Sequence, residues 1–261
     1  MKREMSVSGT FYPARAPEVQ RYFKYFSDIY DEDNVVPLAT CSAIIVPHAG
    51  YIYSGYTANI AYKLLQQSKA TNFVVIGPSH RVAFEGVSLC DFDSYDTPFG
   101  EIKRADYLYE KLKEKFTLTC REQAHSEHST EVQFPFIKNY LSDVNILEIV
   151  YSNESSENIS DIIDFILAQE DCGVIISTDL SHFYNLEDAN ILDNICLEAV
   201  DKLDINKLRS GCEACGILGV EAMMMSAKKL GLNSHILDYR TSADASEDSS
   251  KVVGYMSVYF E

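Results

Sequence analysis

Three apolar runs in the sequence each close on a histidine. They are Ala43-Ile44-Ile45-Val46-Pro47-His48, Phe73-Val74-Val75-Ile76-Gly77-Pro78-Ser79-His80 and Val174-Ile175-Ile176-Ser177-Thr178-Asp179-Leu180-Ser181-His182. Runs rich in Val and Ile, stopped by Pro, Gly or Ser, have the pattern of strands buried on both faces. Residues just past the ends of parallel strands gather at one sheet edge, which is where open α/β sheets bind ligands. Imidazoles carried to that edge can bind a metal or move protons. These three are half of the six histidines in the chain. A lone histidine at a strand end more often just satisfies a backbone carbonyl, and three converging on one edge weigh against that.

Other groups fall near these ends. Pro47 stops its run because it cannot donate a ladder hydrogen bond, and Gly50 and Gly55 permit a tight loop. Asp179 precedes His182 by three residues, close enough to hold an imidazole tautomer, although it could equally cap a helix. In His125-Ser126-Glu127-His128-Ser129-Thr130-Glu131-Val132-Gln133, Thr130 and Gln133 have capping-box spacing. That leaves Glu127 and His128 as acid–base candidates. Cys212-Glu213-Ala214-Cys215 reads as a redox pair, as half of a zinc site, or as two small thiols at a helix start. No second pair with zinc spacing accompanies it, so a closed four-cysteine site is not expected.

Positioning these groups takes alternating strands and helices. Helices are expected over 55–67, 105–115, 131–140, 160–168, 187–203 and 215–230, and further strands over 145–151, 235–240 and 251–260. Ile191, Ile195, Ala199 and Leu203 recur every four residues and predict one buried stripe. The polar stretch 241–250 is expected to be an exposed loop. The expected architecture is α/β, layered, with a central mixed and mostly parallel sheet flanked by helices, as one domain over 1–261.

Composition excludes some classes. The chain is 46% hydrophobic and 23% charged, ordinary for a globular protein, with a net charge of −17 that argues against nucleic-acid binding. No apolar run is long enough for a membrane span, and Met1–Ser6 is followed by no apolar leader core. Seven scattered cysteines then suggest reduced thiols and a cytoplasmic location.

Five segments in order, Pro47-His48-Ala49-Gly50-Tyr51, Gly77-Pro78-Ser79-His80, Glu127-His128-Ser129, Ser177-Thr178-Asp179-Leu180-Ser181-His182 and Cys215-Gly216, give the chain its resemblance to a known family. With Gly9-Thr10-Phe11-Tyr12-Pro13 near the start, it resembles the Memo-like family, also called AmmeMemoRadiSam system protein B in prokaryotes. The resemblance implies a fold like that of class III extradiol ring-cleaving dioxygenases. It implies a metal site of two His and one Cys, here His48, His80 and Cys215, with His182, Asp179, His128 and Glu127 around it as acid–base groups. The metal implied is Fe(II) or Cu, with Zn possible, since thiolate and imidazole suit all three. The function implied is that of a redox-metal oxidoreductase acting on a small molecule. A metal carrier, a phosphopeptide-binding module of the kind linked to the family in animals, and a zinc hydrolase are the alternatives. Arg often follows the Cys-Gly pair in the family, and Ile217 stands there in this chain.

Overall fold

The computed structural model describes residues 1–261. Its frame is a sheet of eleven strands. Six of them form its body: β1 (Ala43–Val46), β2 (Asn72–Pro78), β3 (Asn145–Tyr151), β4 (Cys172–Ser177), β5 (Ser234–Thr241) and β6 (Val252–Phe260). They lie side by side as β3-β2-β4-β1-β6-β5. The first four are parallel. β6 runs antiparallel to both β1 and β5. The expected mixed, mostly parallel sheet is therefore present, and the three histidine-tailed runs are its adjacent strands β2, β4 and β1. Short strands at Lys2–Arg3, Ser94–Tyr95 and Ile102–Arg104 extend the sheet beyond β3.

Side chains alternate across this sheet and feed a core on each face. Ala43, Ile45, Val74, Ile76, Val174 and Ile176 pack into one core, and Ile44, Val46, Phe73, Val75 and Ile175 into the other. Both faces are buried, so the strands read as unbroken apolar runs rather than alternating ones. Helices cover both sides, among them Ala16–Asp33, Tyr51–Leu65, Ser156–Leu167, Leu186–Asp201 and Ile217–Leu230. No helix is long and apolar enough to cross a membrane.

Several expectations are corrected. Helix Ala16–Asp33 lies outside the expected helices, although Val19, Phe23, Phe26 and Tyr30 form its buried stripe. Its charged residues mask that stripe in a simple apolar count. The helix expected over 131–140 is two, His128–Glu131 and Phe134–Tyr140, the second opening with Pro135 in its first turn. The buried face of Leu186–Asp201 is Ala189, Asp193, Cys196 and Ala199 with Val200, and Ile191 is exposed. The stretch after β5 includes a short helix, Ala243–Ser246. The cysteines are not all free thiols: Cys90 pairs with Cys120 and Cys196 with Cys212, leaving Cys41, Cys172 and Cys215. Cys212 and Cys215 are thus not partners.

Candidate metal centre

The sheet order brings the site together. β4 lies between β2 and β1, so residues two positions past three neighbouring strand ends, His80, Asp179 and His48, share one edge. His48 is 1% exposed. Its backbone N–H donates to Asp179 Oδ1 at 2.7 Å, and its Nδ1 lies 3.1 Å from Ser177 Oγ. The Ser177 hydroxyl donates to Ser129 O and accepts from Gln133 Nε2 at 2.9 Å. Its one proton is therefore committed, so His48 Nδ1 must be the donor. The lone pair of His48 then sits on Nε2. Burial, with His80 and His128 nearby, lowers the His48 pKa well below the ordinary value and keeps the ring neutral.

His48 Nε2 faces Cys215 Sγ at 3.2 Å and Asp179 Oδ2 at 4.0 Å. Cys215 Sγ in turn accepts from Asp179 N at 3.3 Å, and Gly216 N donates to Thr178 Oγ1 at 2.9 Å. These bonds seat the cysteine just before helix Ile217–Leu230. Burial, then Asp179, pushes the thiol up to about 12, so Cys215 carries its proton unless a cation displaces it. Burial also raises the Asp179 pKa, partly opposed by the His48 N–H. Asp179 caps no helix, which corrects the helix-cap alternative.

His80 and His128 meet on the other side. Glu127 is the N-cap of helix His128–Glu131 and accepts from the backbone of His128 and Ser129. It also accepts from His80 N at 2.7 Å. Burial opposes its charge, but the bonds from His128 and His80 outweigh that and hold the carboxyl well below the usual range. The Thr130–Gln133 capping box is therefore not formed. Thr130 Oγ1 donates to Glu148, and Gln133 Nε2 donates to Pro47 O at 2.8 Å and to Ser177. This helix packs so closely on β2 that a Cβ at Gly77 would lie 2.7 Å from Ser129 Oγ. The Phe11 ring lies against His128, centroids 4.6 Å apart.

The outcome is a cluster of three imidazoles. Ring centroids are 5.2 Å apart for His48 and His80, 5.3 Å for His48 and His128, and 4.6 Å for His80 and His128. One ligand nitrogen from each lies within 4.8 Å of the others. Donors about one metal with bonds of ~2.0–2.1 Å lie roughly 3–4 Å apart, so the set fits a single ion with small adjustments. Of the seven residues singled out in the sequence, His48, His80 and His128 share this cluster, and Cys215 adjoins it through His48. Glu127 and Asp179 hold backbone and ring atoms of the cluster. His182 opens the short strand His182–Tyr184, which pairs with β6, and is close enough to disfavour charge on His48. Asp193 holds its turn by accepting from Ser181 N at 2.9 Å. Ser177, Gln133 and Phe11 were not anticipated in the site. Each carried a signal of another kind: Ser177 ends the third apolar run, Gln133 has capping-box spacing, and Phe11 lies in the segment Gly9–Pro13.

A family model described as Memo-like protein matches residues 3–259. The chain is 34% identical to a MEMO1 family protein of Aquifex aeolicus, over 99% of this chain and 98% of that one. It is 33% identical to a MEMO1 family protein of Thermoplasma acidophilum, over 99% and 98% of the two chains. It is 31% identical to one from Archaeoglobus fulgidus, over 99% of each.

Proposed function

The chain belongs to the Memo-like family, and from that premise and the histidine cluster we propose that it is a metal-dependent oxidoreductase acting on a small molecule. His48, His80 and His128 supply imidazole donors, and Cys215 supplies a thiolate from the His48 side. The observation that carries this reading is the approach of three ring nitrogens to within 4.8 Å from two strand ends and a helix start. The donor set suits iron or copper, and also zinc, because imidazole and thiolate are good ligands for all three. Iron or copper held there would supply one-electron redox chemistry. Ser177 keeps the His48 lone pair on Nε2, and burial keeps that ring neutral. Asp179 holds the backbone at His48, and His182 stands beside the cluster as an acid–base group. Phe11 packs against one side of the His128 ring.

Metal content decides the matter. Purified protein should carry iron or copper by elemental analysis, and His48→Ala should lose it. Cys215→Ser should retain copper but lose the thiolate-to-copper absorption band. Protein that gains no redox metal, or whose affinity is unchanged in His48→Ala, would reject the assignment. A metal-carrier role is the second reading, supported by the 31% exposure of the His80 side chain, which would let an ion exchange. Fast transfer of copper to a chelator without substrate turnover would favour it.

A further inference from the structure

We infer that Glu127 is the positioning residue of this site, a single carboxylate that sets the tautomer and orientation of both His80 and His128. Glu127 is 1% exposed, so its charge must be met by protein groups. Five N–H groups face it. Oε2 accepts from His80 N at 2.7 Å. Oε1 accepts from His128 N at 2.8 Å and Ser129 N at 3.2 Å. The remaining two are ring nitrogens: His80 Nδ1 lies 3.2 Å from Oε1, and His128 Nδ1 lies 2.7 Å from it. His128 Nδ1 is buried and makes no hydrogen bond, so its contact with Oε1 is one of proximity and charge alone.

Three of the five donors are backbone amides and cannot reverse their role. A carboxylate offers only lone pairs, so a ring nitrogen turned toward it must bring a proton. Both rings are thereby fixed as Nδ1–H, and both lone pairs fall on Nε2, the arrangement a metal-binding histidine needs. With both oxygens occupied and no access to solvent, Glu127 orients groups and does not exchange protons with a substrate. His48 is held separately by Ser177. The cluster therefore has two independent holders: one carboxylate for two rings and one hydroxyl for the third. The consequence for metal affinity rests on the metal reading above, whereas the tautomer assignment does not.

Long-range ¹⁵N–¹H correlation spectra of histidine-labelled, metal-free protein at pH about 9, where imidazole is neutral, read each tautomer directly. The parent should show Nδ1–H at His48, His80 and His128. An Nε2–H tautomer at His80 or His128 overturns the inference without any variant, so it stays testable even if substitutions disturb folding. In Glu127→Gln, His80 and His128 should each become a mixture while His48 is unchanged. Ser177→Ala should do the converse. Retention of pure Nδ1–H at both rings in Glu127→Gln refutes the inference. Zinc ion, titrated by calorimetry, should bind Glu127→Gln about 10–100-fold more weakly than the parent. Equal zinc affinity in the two proteins would also count against the positioning role. A parent that binds no metal at all would instead defeat the metal reading and leave the tautomer result standing.

Discussion

Arg3→Met should destabilise the fold by about 3–5 kcal/mol, because it removes one partner from a buried ionic network and leaves the rest in place. Arg3 is 5% exposed, and the carboxylates it meets, Glu131 and Glu148, are 1% and 0% exposed. Its Nη1 lies 2.8 Å from Glu131 Oε2, and its Nε lies 3.4 Å from Glu148 Oε2. Met keeps most of the stem's packing, so the loss is that of the charge and of its bonds to Glu4 O and Glu127 O. Glu131 retains bonds from Ser6, Val7 and Tyr12, and Glu148 retains His125 Nδ1 at 2.7 Å and Thr130. Those bonds limit the loss but do not supply the missing full charge. At about 2–4 °C per kcal/mol for chains near this size, the melting temperature should fall by about 6–20 °C.

Urea unfolding followed by circular dichroism measures the change, with an unaltered slope as the check that only stability moved. Arg3→Met combined with Glu148→Gln should recover part of the loss, since one of the two orphaned charges is then gone. The pH dependence has a defined sign. Burial opposes the charge on Glu148, but Arg3 and His125 outweigh it and hold the carboxyl below its ordinary value. A carboxyl depressed in the folded state adds stability that is complete above its unfolded pKa of about 4.3 and is lost as pH falls through the folded value. The gap between parent and Arg3→Met should thus be widest near neutral pH and narrow in acid. A loss under about 1 kcal/mol at pH 7, or a gap that widens in acid, would refute the reasoning.

Three further outcomes are expected. Phe183 is 71% exposed with φ 66°, a left-handed conformation unfavourable for a bulky residue, so Phe183→Gly should raise stability by about 1 kcal/mol in thermal unfolding; a lower melting temperature would show that the ring's contacts outweigh its strain. The Cys196–Cys212 bridge closes a segment of sequence separation 16, worth about 3 kcal/mol by loop-closure entropy, so Cys196→Ser should cost that much under non-reducing conditions. Thiol counting on denatured, unreduced protein should find three free cysteines, and seven would exclude both bridges.

Much of the frame was legible because the parallel strands are buried on both faces, which leaves unmistakable runs of Val and Ile. The same pattern flagged His48 and His80, since each sits two residues past such a run. It also flagged His182, which the resemblance places around the metal site rather than in it. Asp179 occupies the corresponding place past β4, and His182 has already entered another strand. His128 belongs to the cluster but arrives on a helix capped by Glu127, after a polar stretch that no strand pattern marks. Placing it beside His48 requires knowing that β4 separates β2 from β1, which is a fact of sheet order and not of local sequence. Disulfide connectivity was hidden for a similar reason, because the bridge Cys90–Cys120 joins positions 30 apart with no local sign of their meeting.

The span of these contacts bears on how the molecule is made. Arg3 reaches Glu131 across 128 positions, His48 reaches Asp179 across 131, and Cys215 reaches His48 across 167. During synthesis the first histidine therefore emerges long before most of the groups that orient it. Contacts so distant in sequence form late and slowly. Until residues 177–215 leave the ribosome, His48 lacks the Ser177, Asp179 and Cys215 groups that face it. A nascent chain stalled before Cys215 should accordingly hold its strand-end histidines without their final geometry. The final geometry of the cluster thus reports on completion of the whole fold.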